Sequence, residues 1–290
     1  MDEVTFTDGE IEVGILPELG ARLHRLRVAG RDLLRTPADP AEHRRSPFLW
    51  GGYVMAPWCN RIEAGPVALG SRLIHPGSNF PDGTAIHGQV YARPWEPQAD
   101  GSFRVRGGGD GWPWEYEVGL RVEVAGWSVR LELELVNRAE DPMPAGLGLH
   151  PWFRRPVLVA IRGDAVYRSN LDSEPEPVPV DGPYDRRTVG EMPAGLDATW
   201  TRLSEPPVEL RWPDLGLRAD LRIAASTPHV VAASPGDLDA IAVEPQTHAP
   251  QGLRRLLRGE PGALAMLGPG RVLRLGLELA FERLGGGKVP

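Results

Sequence analysis

Four short stretches hold the side chains of this chain best able to move a proton or grip a polar ligand. Ile241-Ala242-Val243-Glu244-Pro245-Gln246-Thr247 delivers one carboxylate out of an apolar run, and Pro245 interrupts the strand directly behind it. Ala85-Ile86-His87-Gly88 and Gly148-Leu149-His150-Pro151-Trp152 each present a histidine after apolar residues and before a stop residue. Pro57-Trp58-Cys59-Asn60-Arg61 offers an amide and a guanidinium. Imidazoles and carboxylates are the side chains most used for proton transfer near neutral pH. Trp152 and Phe153 add aromatic walls of the kind found beside polar groups in sites for sugar rings. Each group also has an ordinary alternative. Either histidine could be a core residue bonded to a carbonyl, Glu244 could sit in a salt bridge, and Arg61 could tie a loop. The stretches gain meaning if they converge on one pocket.

Other chemistries find less footing. There is no His-Glu-x-x-His pattern and no pair of histidines at metal-ligand spacing, so a zinc site drawn from His87, His150 and Glu244 has no support, and no metal is expected. No Gly-x-Ser-x-Gly elbow exists. Cys59 is the only cysteine; it can form no internal disulfide and reads as packing. Gly107-Gly108-Gly109-Asp110-Gly111 lacks the Gly-Lys-Ser/Thr ending of a phosphate loop, which makes it a turn. His24 and His43 read as surface residues, and His75 and His229, each beside a proline, as loop residues. His248 falls past Pro245, off any face shared with Glu244.

The elements that must position these groups read as strands. Val4 and Phe6, the turn Asp8-Gly9, then Ile11, Val13 and Ile15 predict a hairpin. Residues 36–47 are polar and proline-rich, a surface loop. From 48 to 95 the pattern is irregular, as binding loops over a rigid scaffold tend to be. Val118, Leu120, Val122 and Val124 alternate with polar residues, Ala125-Gly126 turns the chain, and Val129, Leu131, Leu133 and Leu135 alternate back. Leu273 to Phe281 repeat that alternation after Gly268-Pro269-Gly270. Only Leu253 to Leu257 suggests a helical turn, and Gly285-Gly286-Gly287 is expected to fray. Many short strands with Gly/Pro turns, and no shift in composition, predict an all-β, largely antiparallel sandwich in one domain over residues 1–290.

With 32 basic against 39 acidic residues, the net charge of −7 gives no general attraction to nucleic acid or to an anionic membrane. The acidic N-terminus and the lack of a long apolar run make a cytoplasmic location the expectation.

In order along nearly the whole chain, these segments resemble the aldose 1-epimerase (galactose mutarotase-like) family. Gly20-Ala21-Arg22-Leu23 resembles its early strand turn and Pro57-Trp58-Cys59-Asn60-Arg61-Ile62 its Asn-Arg motif. Ala85-Ile86-His87-Gly88 and Leu149-His150-Pro151-Trp152-Phe153 resemble its two histidine motifs, with Gly111-Trp112-Pro113-Trp114 similar to its Gly-Tyr-Pro turn between them. Gly195-Leu196-Asp197-Ala198-Thr199 is similar to its Leu-Asp-Asp segment, and Val243-Glu244-Pro245-Gln246-Thr247 to its glutamate strand.

The resemblance implies a large antiparallel β-sandwich with an open sugar cleft, no required cofactor, and an aldohexose as substrate for a monomer or homodimer. It further implies Glu244 as general base and His150 as general acid, on opposite sides of the acetal. His87, Arg61 and Asp197 would hold the sugar, with Asn60 in support and Trp152 beside it. The chain departs from the galactose mutarotases at Pro151-Trp152, where they carry Ser-Tyr, and at Val230-Val231-Ala232-Ala233, where they carry Gln-Val-Tyr-Thr. The departures bear on which sugar is taken more than on the reaction. A hexose-6-phosphate 1-epimerase and a non-catalytic carbohydrate-binding protein are the alternatives.

Overall fold

The computed structural model describes residues 2–63, 65–171 and 174–285. One antiparallel ladder runs through it. The hairpin Trp112–Ala125 and Ser128–Asn137 pairs on to Val272–Arg283, then to Leu217–Ala224, then to the distal half of Leu196–Trp212. That long strand bridges two halves of the molecule, because its first residues pair instead with His229–Ser234. The ladder continues to Ala240–Gln246, Gly148–Arg154, Gly52–Met55, Arg22–Val28 and the N-terminal hairpin. The sheet curls until Asp8 accepts a hydrogen bond from the backbone N–H of Gly126, at 2.7 Å.

Period-two alternation explains how the layers meet. Leu131, Leu277 and Leu279 point inward and, with Leu149, Pro151 and Phe153 from the other layer, surround one small core gap. His150 and Trp152 lie on the opposite face of their strand from those three residues. The strands around them are therefore covered on both sides: Gly148–Phe153 and all of Ala240–Gln246 are buried. A single apolar cluster extends from Ile11 to Phe281.

Two expectations about histidines are corrected. His43 is buried at 2% exposure, its Nε2 3.0 Å from Nδ1 of the half-buried His24. The segment read as a surface loop folds onto the sheet here, with a short helix Glu42–Arg45. Arg22 holds it through the carbonyls of Pro47 and Trp50, both at 2.8 Å. His229 is not in a loop; it is the buried first residue of His229–Ser234. The short helical turn is present as Gly252–Arg258. Residues 286 and 287 of the expected frayed tail lie outside the described residues. No helix among the described residues is long and apolar enough to cross a membrane.

Candidate active site

The register places the two central groups. Gly148 pairs with Gln246 and Trp152 with Ala242, so His150 and Glu244, midway between, are cross-strand neighbours on one face. Their contact is direct: His150 Nε2 lies 3.1 Å from Glu244 Oε1, both side chains buried. No gap separates them, which differs from the expected placement on opposite sides of a ligand. Glu244 also pairs with Val231 and Val231 with Thr199. In the neighbouring row Trp152, Ala242, Ala233 and Asp197 follow one another across four strands. The two alanines between the indole and the carboxylate leave a shallow floor.

Above that floor is a cleft of about 230 Å³ whose lining includes Asn60, Arg61, His87, His150, Trp152, Asp197 and Glu244. The structure thus brings together all seven residues singled out from the sequence. They are carried by five segments far apart in the chain.

Each is held locally. Asn60 and His87 both adopt left-handed backbone conformations, φ +58° and +60°, which asparagine and histidine tolerate better than most residues. The His87 backbone N–H donates to the Asn60 carbonyl at 3.0 Å. In return the Asn60 N–H donates to His87 Nδ1 at 3.2 Å. Gly88 makes that turn possible, since a Cβ there would sit 1.9 Å from the Ala56 carbonyl oxygen. Arg61 lies 5.1 Å over the Phe80 ring and donates from Nε to Asp82 Oδ2 at 2.8 Å. Asp82 is itself fixed by the Thr84 hydroxyl and N–H, at 2.6 and 3.0 Å. Asp197 accepts a short hydrogen bond from the Asn170 amide, whose oxygen accepts from Thr199 Oγ1 at 2.6 Å. The Trp152 indole donates to the Phe48 carbonyl at 2.7 Å. Tyr53 stacks on His150, centroids 4.6 Å apart and planes 22° apart.

Burial dominates the electrostatics. It pushes the Glu244 carboxyl well above its ordinary value, helped by Asp197 and opposed by Arg61. It pushes His150 down to about 3, with Arg22 acting the same way. Both shifts disfavour charge, so the pair behaves as a unit in which carboxylate and imidazole share one proton and carry no net charge. Among the described residues no other residue bonds the buried His150 Nδ1, so no neighbour locks the proton onto the ring. Burial raises Asp197 too, with Asn170 and then Arg61 opposing.

His87, His150 and Glu244 each offer a ligand atom within 4.8 Å of the others, near enough to suggest a metal. The tautomer of His87 opposes it. A metal-bound histidine donates its other N–H to an acceptor, whereas His87 Nδ1 faces the Asn60 N–H donor. The Asn60 N–H therefore keeps the His87 proton on Nε2, as a fixed hydrogen-bond donor. A second proton is also excluded, and burial holds His87 well below the usual histidine value.

Sequence reasoning missed Phe48, Tyr53, Phe80, Asn170 and the supporting Asp82. Pro81-Asp82-Gly83 carries only a turn signal, and Asn170 lies in a polar, proline-rich stretch without periodicity.

The fold and the cleft together define a class: all-β proteins with a buried imidazole–carboxyl pair on the floor of a small polar cleft. A family model described as Aldose 1-epimerase matches residues 2–253, and the chain belongs to the aldose 1-epimerase family, whose members are sugar isomerases. No curated protein matches at the level of sequence. Among solved structures, a galactose mutarotase-like protein of Clostridium acetobutylicum superposes with a TM-score of 0.82 at 19% identity, covering 96% of this chain and 94% of that one. A protein of Escherichia coli K12 gives 0.81 at 17%, covering 98% and 99%. The galactose 1-epimerase of Lactobacillus acidophilus NCFM gives 0.79 at 18%, covering 97% and 94%. At such identities these likenesses establish the fold alone.

Proposed function

We propose that the chain is a mutarotase that interconverts the α and β anomers of a free aldohexose. The observation that carries this reading is the buried 3.1 Å contact between His150 Nε2 and Glu244 Oε1. The two oxygens that exchange protons in a cyclic hemiacetal, O1 and the ring oxygen, hang on the same carbon. A base and an acid that serve both must be close neighbours, as this pair is. The sugar sits above the pair, O1 against Glu244 and the ring oxygen against His150. With the shared proton on His150 Nε2 and Glu244 ionised, Glu244 takes the proton of the C1 hydroxyl while His150 gives its Nε2 proton to the ring oxygen. The bond from C1 to the ring oxygen breaks and the aldehyde forms. After rotation about C1–C2, His150 recovers the proton from the chain hydroxyl as that oxygen attacks C1, and Glu244 returns its own to O1. No proton is gained or lost over the cycle.

His87, Arg61 and Asp197 would hold the ring, the first as a neutral donor, with Asn60 in support and Trp152 covering one face. Charge favours a free sugar over a phosphate ester. Among the described lining residues Arg61 is the one cation, it is already paired with Asp82, and Glu244 and Asp197 both face the cleft.

Polarimetry on freshly dissolved α-D-glucose and α-D-galactose tests the proposal. Equilibration faster than buffer, lost in Glu244→Gln, supports it. Saturable sugar binding without any acceleration would instead identify a binding protein.

A further inference from the structure

Beside the cleft, on the same face of the same strands, lies a second depression of about 440 Å³ that shares no lining residue with it. Thr201 and His229 follow the Trp200–Val230 pair across two strands and line its floor. His229 is two residues, or about 7 Å, from the Val231 that lines the cleft.

His229 is buried at 4% exposure. Its Nδ1 lies 3.0 Å from the Thr227 carbonyl oxygen, which places the ring proton on Nδ1 and leaves Nε2 a bare acceptor. Among the described residues nothing donates to Nε2. His229 lines the depression, so Nε2 is open to a hydroxyl donor from outside. Arg202 and Glu176 stand at the rim, and neither makes an ion pair among the described residues. The site therefore offers an acceptor, a cation and an anion without net charge, together with the Thr201 hydroxyl. Pro228 and Leu203 add flat apolar surface.

We propose that this depression is a second sugar-ring subsite. A polyhydroxylated neutral ring supplies hydroxyl donors to His229 Nε2 and Glu176, acceptors to Arg202 and Thr201, and C–H faces to Pro228 and Leu203. An anion would meet Glu176 and an acceptor that cannot donate. Burial also keeps His229 neutral, pushed down to about 4. The subsite stands apart from the reading of the cleft, since binding here needs no catalysis.

Titration of the full chain with D-glucose and with maltose, followed by 15N NMR of the histidine rings, tests it. The His229 Nε2 resonance should move and saturate. If glucose suffices the ring is a separate sugar; if only maltose acts, it is the second ring of a longer substrate that reaches from the cleft. Thr201→Val and, independently, His229→Phe should weaken the binding that calorimetry assigns to this site by roughly five-fold or more, while glucose mutarotation stays at the wild-type rate. An Nε2 resonance unmoved by both sugars overturns the proposal. So does a shift that saturates identically in Thr201→Val, which folds even if His229→Phe does not.

Discussion

Two pairs of strands in one sheet handle polar residues in opposite ways. In Trp112–Ala125 and Ser128–Asn137, inward leucines and valines alternate with Arg121, Glu123, Arg130, Glu132 and Glu134 facing water. The charges pair across the strands, as Arg274 does with Glu134 at 2.8 Å. In Gly148–Arg154 and Ala240–Gln246 the alternation disappears, and His150, Glu244 and Gln246 are buried. Both strands also carry prolines in the interior of the sheet, where a ladder donor is missing. The first pair keeps charge where solvation costs little. The second keeps ionisable groups where charge is expensive, which makes a proton easy to pass between them. The difference separates scaffold from chemistry, and it can be broken from either side.

The largest effect is expected at the centre of the second pair. Glu244→Gln keeps the shape and removes the proton acceptor, so kcat should fall about 10²- to 10⁴-fold with the fold intact. His150→Asn should cost a similar factor. The double variant should be little worse than either single one, because the two act as a unit. An additive double variant would show that they act separately. The pH profile sharpens the point. A free histidine would give an inflection near its ordinary value of about 6.5. With His150 held down to about 3 and Glu244 above its usual range, kcat/KM should show no acid-side fall in that region. It should drop on the acid side only as pH falls towards about 3, where the pair takes up a second proton, and on the basic side where the shared proton leaves. An acid-side fall of kcat/KM between pH 6 and 7 would mean that His150 titrates independently of Glu244.

In the scaffold pair the expected loss is of stability alone. Leu133 is buried between cross-strand partners Leu120 and Leu275. Leu133→Ala should destabilise the chain by about 2–5 kcal/mol in chemical denaturation, while KM and kcat of the folded fraction stay at wild-type values. A changed KM would show that the layers are coupled more tightly than their packing suggests.

Asp82 gives a smaller effect on the chemistry side. It is over a third exposed and reaches the site through Arg61, so solvent screens much of the contact. Asp82→Asn should raise KM several-fold with kcat nearly unchanged, the mark of a positioning residue. A fall in kcat with KM intact would mean that Arg61 acts on the transition state instead.

The contrast between the strand pairs also explains what was legible in the sequence. Strict alternation from Val118 to Leu135 and from Leu273 to Phe281 exposes the scaffold, because one face is wet. Glu244 and His150 were visible for the opposite reason, as polar residues in apolar runs ended by proline. Asp197 required a resemblance, since nothing around it breaks a pattern. Asn170 and Phe48 reach the cleft, and Asp82 reaches Arg61, from loops whose course depends on distant contacts, such as Arg22 on the Pro47 carbonyl. His43 was misjudged for the same reason: its polar neighbourhood in sequence is not its neighbourhood in space.

The smallest effect belongs to the wet face. Arg130 lies 3.2 Å from Glu278, with more than half of its side chain exposed. A pair so placed gains little Coulomb energy in water and loses side-chain freedom, leaving about 0–1 kcal/mol. Arg130→Ala should therefore shift denaturation by less than about 1 kcal/mol and leave mutarotation untouched, in low and high salt alike. A loss comparable to that of Leu133→Ala would mean that the charged lattice, and not the leucine layer beneath it, holds the sheet in its curl. The division between a scaffold that tolerates change at its surface and a site that tolerates none would then fail.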